Sequence, residues 1–488
     1  MSRQLILGLD IGTSSVRGAL YDLNGNLLPK TLIKNERILN ITAEGGVEID
    51  ADQAFHQVVA IIDGVLARSS GSLFEIIAVA ACAFWHSLVG VDAKGKPTTK
   101  VLGWADNRSR EYVNALRKKL DENEVHQRTG AHFHSSFWPA KLLWFRREQS
   151  NVFARTAKWL SFSDYVALRL FDTAVTSVSM ASATGMFDQR KCRWDDKLAR
   201  YLRLRSAQLP QIIDDSKSLS LNGDFARRWP RLAGAKWFPA VGDGAANNIG
   251  AGCVTKSGAA LMVGTSGAMR VAYTGDPPDV LPTGLWSYRI DRGRVIIGGA
   301  LSDGGGLYRW LQSNLRLDKN AQHEIAHRPP DGHGLTFLPF LAGERSTGYH
   351  EFARGSIFGL TSHTEAIDIA QVAMESVAYR FAEIFEQFGR FTKIKEIIAS
   401  GGALRQSPVW TQIVADVLGR KISLVEAHEA SMRGAVLLAL ERLGNIESIE
   451  KSASEIGKIF EPDAAAHSVY KRARRRHQEL YDLIFQNK

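Results

Sequence analysis

Short runs of apolar residues alternate along the chain with longer stretches in which apolar residues recur every three or four positions. The short runs predict β-strands, and the longer stretches predict amphipathic helices. In the first half, strands are predicted at residues 5–9, 16–21, 76–81 and 88–91, with helices at 52–68 and 109–120. In the second half, strands are predicted at 259–263, 269–273, 295–297, 335–337 and 396–399, with helices at 306–315, 364–388, 408–418 and 429–440. Mixed strands and helices on this scale predict an α/β fold.

The length of the chain predicts two domains. A chain of 488 residues exceeds what one hydrophobic core usually serves, because single cores stop growing at about 250–300 residues. We expect the boundary between residues 250 and 256, immediately before the second of two similar hairpins. The predicted lobes are residues 1–250 and residues 251–488.

The two similar hairpins lie half a chain apart. One reads LDIGTSSVRGALYD from Leu9, and the other reads LMVGTSGAMRVAYT from Leu261. Each contains a strand, a Gly-Thr-Ser turn, an arginine and a second strand. Backbone N–H groups beside small residues can approach phosphate oxygens closely, and an acid such as Asp10 can hold a metal-bound phosphate. The pair predicts two related lobes that each contact phosphate, and ordinary glycine-rich turns are the alternative.

Composition is that of an ordinary globular protein, with 45% hydrophobic and 23% charged residues. No apolar run approaches the ~20 residues that a membrane span requires, so we expect no membrane association. The three cysteines, Cys82, Cys192 and Cys253, are scattered and odd in number. This pattern excludes a disulfide framework and a zinc site, and it favours a reducing cytoplasm.

The net charge of +10 suits an anionic partner such as a nucleotide or a sugar acid. The densest basic run, residues 471–477, falls in an amphipathic pattern that predicts a C-terminal helix with a solvated basic face. Its apolar positions are Tyr470, Leu480, Tyr481, Leu483 and Ile484. The helix packs either on the second lobe or on a partner subunit, so a homodimer stays open. No sequence signature supports nucleic-acid binding, and none is expected.

Three glycine-rich segments suit phosphoryl transfer, which needs phosphate cradles, magnesium, an aligned nucleophile and a base. The third of them, at Gly401 and Gly402, lies between a predicted strand and a predicted helix. It would let the backbone run flat against an adenine or a ribose, and a plain strand-to-helix turn is the alternative. The first two predict phosphate cradles at Asp10, Thr13, Ser14 and Arg17, and at Gly264, Thr265 and Ser266.

The candidate base is Asp243, in the segment PAVGDGAANNIGAG. The glycines and small residues around it would leave room for a substrate to come within hydrogen-bond reach. An aspartate in such a loop is otherwise a turn or cap residue. Its position at the predicted junction between the lobes favours the catalytic interpretation.

Ten segments, taken in their order and spacing, resemble the FGGY family of carbohydrate kinases over nearly the whole chain. They are LDIGTSSVRGALYD, FWHSLVGVD, GWADNRS, PAKLLW, GDGAANNIGAG, MVGTSGAMR, GGALSDGGGLYRWL, FLAGERSTG, ARGSIFGLT and ASGGALRQSPVW. The resemblance implies a two-lobed ATPase fold of the actin/hexokinase type, which is ribonuclease H-like, with ATP and a sugar in a central cleft.

The resemblance also implies roles for individual residues. Asp243 would be the base that deprotonates the sugar hydroxyl, and Asp10 and Asp243 would serve Mg²⁺. ATP and its phosphates would contact Asp10, Gly12, Thr13, Ser14, Arg17, Gly264, Thr265, Ser266, Gly305, Gly401, Gly402 and Ala403. The sugar would contact Trp85, His86, Trp104, Asp106, Arg108 and Asp243. The alternatives are a packed strand end for Trp85 and His86, and a plain helix start for Gly305.

Within this family, AFWHSL from Ala83 and the Gly-Asp-Gly-Ala run from Gly242 look more like gluconate kinases than pentulose kinases. The first hypothesis is therefore ATP-dependent phosphorylation of D-gluconate at its terminal hydroxyl, giving 6-phosphogluconate. Trp85 and Asp303 depart from the residues that gluconate kinases usually carry there. The alternatives are a ketopentose kinase acting on xylulose or ribulose, and a catalytically silent nucleotide-binding regulator. Intact Asp10 and Asp243 argue against the regulator.

Overall fold

The computed structural model describes residues 3–69, 74–426, 429–452 and 454–485. Its frame consists of two large sheets that share one topology. Each sheet is built on an antiparallel hairpin, with further strands on one side and a parallel strand on the other. Helices pack against both sheets, which agrees with the predicted α/β class.

The N-terminal sheet is built on the first hairpin, Arg3–Ile11 and Ser15–Tyr21, which places Asp10 opposite Arg17. Because the parallel pair is covered on both faces, Leu5, Ile6 and Leu7 are all fully buried. The other strands of this sheet are Ile33–Glu36, the parallel strand Phe74–Ala83, and the short strands Lys236–Trp237 and Val241–Gly242 at its edge.

The C-terminal sheet is built on the second hairpin, Gly258–Val263 and Gly267–Thr274. The parallel strand Glu396–Ser400 lies beside it, in the position that Phe74–Ala83 has in the first sheet. The predicted duplication of the hairpins is therefore confirmed. The remaining strands of this sheet are Trp286–Asp291, Arg294–Leu301, Ile422–Val425 and Ile456–Phe460.

Shorter strands and the helices complete the two lobes. The shorter strands are Asn40–Ile41, Val47–Ile49, Val89–Val91, Val101–Leu102, Lys158–Leu160, Val175–Thr176, Phe187–Asp188, Arg193–Trp194, Gln211–Ile212, Thr336–Leu338 and Ser356–Phe358. The helices are Ala51–Arg68, Glu111–Arg117, Glu122–Thr129, Trp138–Glu148, Ser150–Arg155, Phe162–Phe171, Val178–Ser182, Asp196–Tyr201, Gly223–Arg228, Asp243–Gly250, Gly305–Asn314, Ala321–Ile325, Ala366–Phe388, Gly402–Gln406, Pro408–Leu418, Ala430–Leu443 and Ala464–Phe485.

Helix Ala430–Leu443 comes from the C-terminal half of the chain but packs in the N-terminal core. Its buried residues Met432, Val436 and Leu440 belong to the same apolar cluster as the first hairpin. It also lies against helix Asp243–Gly250. The two halves of the chain are therefore joined by a pair of helices beneath the first sheet, close to Asp243.

The terminal helix Ala464–Phe485 packs on the C-terminal lobe. Tyr470 joins the apolar core of that lobe, and Tyr481 packs with Leu338 and Phe340. The prediction that Leu483 lies on the same apolar face is wrong, because its side chain is 67% exposed. Two residues turn a helix by about 200°, so Leu483 points away from the face that buries Tyr481. Among the helices of the described ranges, none is long and apolar enough to cross a bilayer.

Candidate active site

Two cavities meet at the turn of the second hairpin. We call them the inner cavity and the outer cavity. Ser266 lines the inner cavity, whereas Gly264 and Thr265 line the outer one. The inner cavity is lined by both lobes, including His86, Trp104 and Asp243 from the first and Arg270, Tyr288 and Arg345 from the second.

Gly305 fixes the position of the turn in the second hairpin. Its N–H donates to the carbonyl of Gly264 at 2.8 Å, and the N–H of Gly306 donates to the carbonyl of Thr265 at 2.9 Å. A Cβ on Gly305 would lie 2.5 Å from the Gly264 oxygen, so a larger residue would push the turn away. The Arg309 guanidinium donates to Thr265 Oγ1 at 2.6 Å. The start of helix Gly305–Asn314 thus supports the turn from the outer side.

The outer cavity also receives the third glycine segment. Gly402 and Ala403 line it, together with Tyr308 and Trp410. Gly401 has a φ of 97°, and a Cβ there would lie 2.4 Å from the carbonyl oxygen of Val263. Only glycine suits that left-handed position, so the strand can turn tightly into helix Gly402–Gln406. Small residues and aromatic rings therefore line the outer cavity together, and such a lining suits a flat base or a ribose.

Asp10 is half-buried, and a second carboxylate lies near it. Burial raises its pKa from 3.8 to about 6, Arg17 at 3.9 Å opposes that rise, and Asp243 adds to it. The thiol of Cys82 donates to Asp10 Oδ1 at 3.4 Å. The negative charge of Asp243 thus favours the protonated form of Asp10, and Arg17 offsets this effect only in part. The pair therefore fits a divalent ion with oxygen ligands such as Mg²⁺.

Asp243 is the first residue of helix Asp243–Gly250, and the expectation that it lies in a loop is wrong. Its Oδ1 accepts the N–H of Gly244 at 2.8 Å, which orients the carboxylate at the helix N-terminus. Burial raises its pKa, while Arg270 lowers it. A raised pKa makes the carboxylate a better proton acceptor once it is ionised.

The glycines beside Asp243 make room for an indole ring. A Cβ on Gly242 would lie 1.8 Å from the ring of Trp85, and one on Gly244 would lie 2.4 Å from it. The expectation that these glycines leave space for substrate is therefore wrong. Trp85 Nε1 donates to the carbonyl of Ser179 at 3.2 Å, and the indole forms part of the inner cavity wall.

His86 presents a neutral imidazole to the inner cavity. Its Nδ1 lies 2.6 Å from the carbonyl oxygen of Ala183, so this nitrogen carries the proton and donates. Burial holds the pKa of His86 well below its usual range. The other ring nitrogen is then a hydrogen-bond acceptor, which suits a sugar hydroxyl.

Asp106 and Arg108 are not among the residues that line the inner cavity, although Trp104 is. Asp106, 1% exposed, pairs with Arg108 at 2.6 Å and accepts the N–H of Val47 at 3.0 Å. Arg108 also pairs with Glu48 at 2.9 Å. A buried carboxylate must be paired with a cation or with hydrogen-bond donors, and Arg108 and the Val47 N–H are these partners for Asp106. In this structure the two residues hold the loop that carries Trp104.

The first turn lies outside the linings of both cavities. The N–H of Gly12 donates to the carbonyl of Ser15 at 2.9 Å, Thr13 is half-buried and Ser14 is exposed. Arg17 pairs with Glu429 at 2.6 Å, so a carboxylate already balances its charge in this structure. Thr13 and Ser14 thus lie on the turn, whereas Asp10 and Arg17 lie opposite each other on the two strands that flank it. The Arg17 side chain reaches Glu429 in the C-terminal half.

An aromatic wall of the inner cavity was missed by the sequence analysis. Trp286 and Tyr288 stack with ring centroids 4.3 Å apart. Arg345 lies over the ring of Trp104 at 5.1 Å, and its guanidinium also lines the cavity. Trp286 and Tyr288 are two residues apart on one strand, so period-two spacing was the signal that could have revealed them.

Comparison with known families agrees with this geometry. Residues 5–237 match the N-terminal domain model of the FGGY family of carbohydrate kinases, and residues 259–441 match its C-terminal domain model. The chain belongs to the FGGY family of carbohydrate kinases. It is a carbohydrate kinase, and the sugar kinases of this family use ATP.

Individual relatives of this FGGY kinase cover nearly its whole length. A gluconokinase from Bacillus subtilis is 28% identical over 93% of this chain and 91% of the relative. A gluconate kinase and a xylulose kinase from Lactobacillus acidophilus, both solved structures, each have a TM-score of 0.90 and 25% identity, and the match covers 99% of this chain and 98% of theirs. The predicted two-lobed actin/hexokinase-type ATPase fold is confirmed. The assignment of individual residues to ATP, sugar and metal stays a prediction.

Proposed function

We propose that this FGGY kinase transfers the γ-phosphate of ATP to the terminal hydroxyl of D-gluconate, giving 6-phosphogluconate. One observation carries the proposal: a half-buried carboxylate, Asp243, lines a cavity of hydrogen-bonding and aromatic groups, and this cavity meets a cavity of glycines and aromatic rings at the second hairpin. The similarity to gluconokinases supports gluconate as the acceptor.

In this mechanism the inner cavity holds the acceptor and the outer cavity holds the nucleotide. Asp243 takes the proton of the sugar hydroxyl as its oxygen bonds to the γ-phosphorus, and the bond from that phosphorus to the bridging oxygen of ADP breaks. Backbone groups of residues 264–266 contact the phosphate oxygens at the junction. The neutral imidazole of His86 accepts a hydrogen bond from another sugar hydroxyl.

Asp10, with Asp243, would hold Mg²⁺, which neutralises charge on the β- and γ-phosphates. The rise that Asp243 causes in the pKa of Asp10 supports such a site. Arg17, held by Glu429 at 2.6 Å, keeps a positive charge beside Asp10. The tail of ATP would extend along the outer cavity, past Thr265 towards Gly402 and Ala403.

A panel of acceptors tests the proposal. ADP release is measured by a coupled assay with gluconate, xylulose, ribulose, glycerol and rhamnulose. We expect gluconate to give the highest kcat/KM. A kcat/KM for xylulose tenfold above that for gluconate would assign the chain to the ketopentose kinases instead. The equally similar xylulose kinase structure makes that the second candidate.

A catalytically silent regulator is the remaining alternative. It predicts measurable ATP binding but no ADP release with any acceptor of the panel. Isothermal titration with ATP beside the same assay separates the two outcomes. We expect both binding and turnover.

A further inference from the structure

Arg270 is a buried arginine with unused hydrogen-bond donors. The residue is 6% exposed, yet its Nε and Nη1 make no hydrogen bond within the part of the chain that the structure describes. An unpaired donor in a buried place costs about 1–3 kcal/mol, and more when the group is charged. Stability therefore does not explain why a buried arginine occupies this position.

Another buried arginine of this chain shows how such donors can be satisfied. Arg289 is 2% exposed, and its Nε donates to the Gln189 carbonyl at 2.8 Å. Its Nη2 donates to Asp276 Oδ1 at 2.7 Å. Nε and Nη1 of Arg270 have no such partners among the described residues, and the residue lines the inner cavity. The cavity is therefore the place where a partner can bind.

The backbone around Arg270 is shaped to hold its side chain. Gly298 is directly opposite on the next strand, and a Cβ there would lie 2.9 Å from Arg270 Cγ. A Cβ on Gly244 would lie 3.1 Å from Arg270 Nε. Both neighbours are glycines, so the long side chain fits between the sheet and helix Asp243–Gly250.

The charges around the inner cavity favour an anion. Among the described lining residues, Arg270 and Arg345 carry guanidinium groups, and Asp243 carries the carboxylate. Burial holds the pKa of His86 and of His134 below the usual range, so both are neutral. Burial also lowers the pKa of Arg270 to about 10, which leaves it charged at neutral pH. The lining therefore has an excess of positive charge.

We propose that Arg270 is the specificity-determining residue of the inner cavity, where its guanidinium pairs with the carboxylate of a sugar acid. The inference rests on the proposed kinase function and identifies the substrate class. A guanidinium can bind both oxygens of a carboxylate through two parallel hydrogen bonds. A neutral ketose has no carboxylate and cannot accept two such parallel hydrogen bonds from the guanidinium.

The side chain of Arg270 reaches from the strand after the second turn towards Gly244, beside Asp243. Arg270 lies four residues beyond Ser266 on strand Gly267–Thr274, which is roughly 13 Å along an extended strand. The turn at residues 264–266 is the part of the hairpin that also faces the outer cavity. An acceptor bound in the inner cavity can therefore contact both Ser266, at the turn, and Arg270.

The test compares binding of gluconate, of the neutral hexitol D-glucitol and of ADP to the whole protein without turnover. The variants are Arg270→Met, Arg270→Lys and the control Arg390→Met, which removes an exposed arginine that lines neither cavity. We expect Arg270→Met to raise the Kd for gluconate about 10²-fold or more. The Kd for ADP should stay within about twofold, and that for D-glucitol within about threefold. Arg270→Lys should lie between wild type and Arg270→Met.

Thermal melting of the proteins without ligand separates a binding role from a structural one. Because Arg270→Met removes unpaired buried donors, its Tm should not fall below that of wild type. Gluconate should raise the Tm of wild type and of Arg390→Met, but not that of Arg270→Met. A lower Tm for unliganded Arg270→Met, or equal gluconate binding by Arg270→Met and wild type, would overturn the inference.

Two further outcomes distinguish this inference from the proposed function. If wild type binds no sugar acid but phosphorylates a ketose, the role of Arg270 is wrong and the kinase function stands. If wild type binds gluconate through Arg270 but phosphorylates no acceptor, the proposed function is wrong and the carboxylate site stands. An equal loss of kcat with every acceptor after Arg270→Met, at unchanged gluconate affinity, would assign Arg270 to the phosphoryl group and overturn the inference.

Discussion

Gly250 and Gly434 lie where two helices meet so closely that neither position has room for a side chain. A Cβ on Gly434 would lie 1.8 Å from the carbonyl oxygen of Ala246, and one on Gly250 would lie 1.8 Å from that of Ala430. These contacts join helix Asp243–Gly250 to helix Ala430–Leu443. The helix that begins with the candidate base is thus held by a segment from the other half of the chain.

We expect Gly434→Ala to destabilise the protein although alanine is the better helix former. The clash is with backbone, which cannot rotate away, so overpacking should cost roughly 1–3 kcal/mol or more. Denaturant titration measures the change in the free energy of unfolding. Gly234→Ala is the matched control, because a Cβ there meets nothing within 4 Å. Equal stability of both variants and wild type would show that the helices do not touch as described.

Replacement of Asp243 by Asn should separate chemistry from binding. The amide keeps the size of the side chain but cannot take a proton, so kcat should fall by ~10²-fold or more. Binding of ATP and of the acceptor should change little. Steady-state kinetics and isothermal titration provide the two measurements. Unchanged turnover would mean that another group is the base.

Replacement of Asp10 by Ala should impair the use of magnesium and nucleotide. We expect a rise in the Mg²⁺ concentration needed for half-maximal turnover, because a ligand of the ion is lost. Kinetics over a range of Mg²⁺ concentrations, at fixed acceptor, measures it. A normal magnesium dependence would contradict the metal-binding role of Asp10.

Asp10 should also make stability depend on pH. Its folded pKa of about 6 exceeds the usual 3.8, so the folded state binds the proton more tightly than the unfolded state. Stability due to this group is full below about pH 4 and is lost as pH rises through about 6. Asp10→Asn should therefore be more stable than wild type near pH 8, by on the order of 3 kcal/mol. Near pH 4 the two proteins should unfold alike, and a constant difference at both pH values would contradict the explanation.

Asp106→Asn distinguishes a structural role from sugar binding. The change weakens the pairing with Arg108 and the support of the Val47 N–H, so the protein should lose about 1–3 kcal/mol of stability. KM for the acceptor should change by less than about threefold. Chemical denaturation and steady-state kinetics are compared on the same samples. A tenfold rise in KM without any loss of stability would instead show that Asp106 binds the sugar.

The sequence predicted the two hairpins because each depends on neighbours in the chain. Apolar strands, a Gly-Thr-Ser turn and a second strand fold together locally, and the repeat made the pair recognisable. Asp10 and Asp243 were identified in the same way, from an acid beside small residues. The interpretation of Asp243 as a loop residue failed because its helix depends on close packing against Ala430–Leu443 rather than on local propensity.

Arg270 shows the limit of local reasoning. Its motif marked a hairpin with an arginine, but whether that arginine found a partner depended on which groups the fold brought beside it. Arg108 pairs with Asp106 and Glu48, whereas Nε and Nη1 of Arg270 have no hydrogen-bond partner among the described residues. Two arginines of similar appearance in the sequence therefore have different roles in the structure.

By itself, the sequence determined the hairpins and the α/β class and identified Asp10 and Asp243 as candidate site residues, since these follow from short-range patterns. Only the tertiary structure decided which charges are paired, which glycines make room for Trp85, and which donors remain free in the inner cavity. The physical reason is that pairing and burial depend on distances between strands and helices far apart in the chain. Those distances are set by the packing of both lobes together.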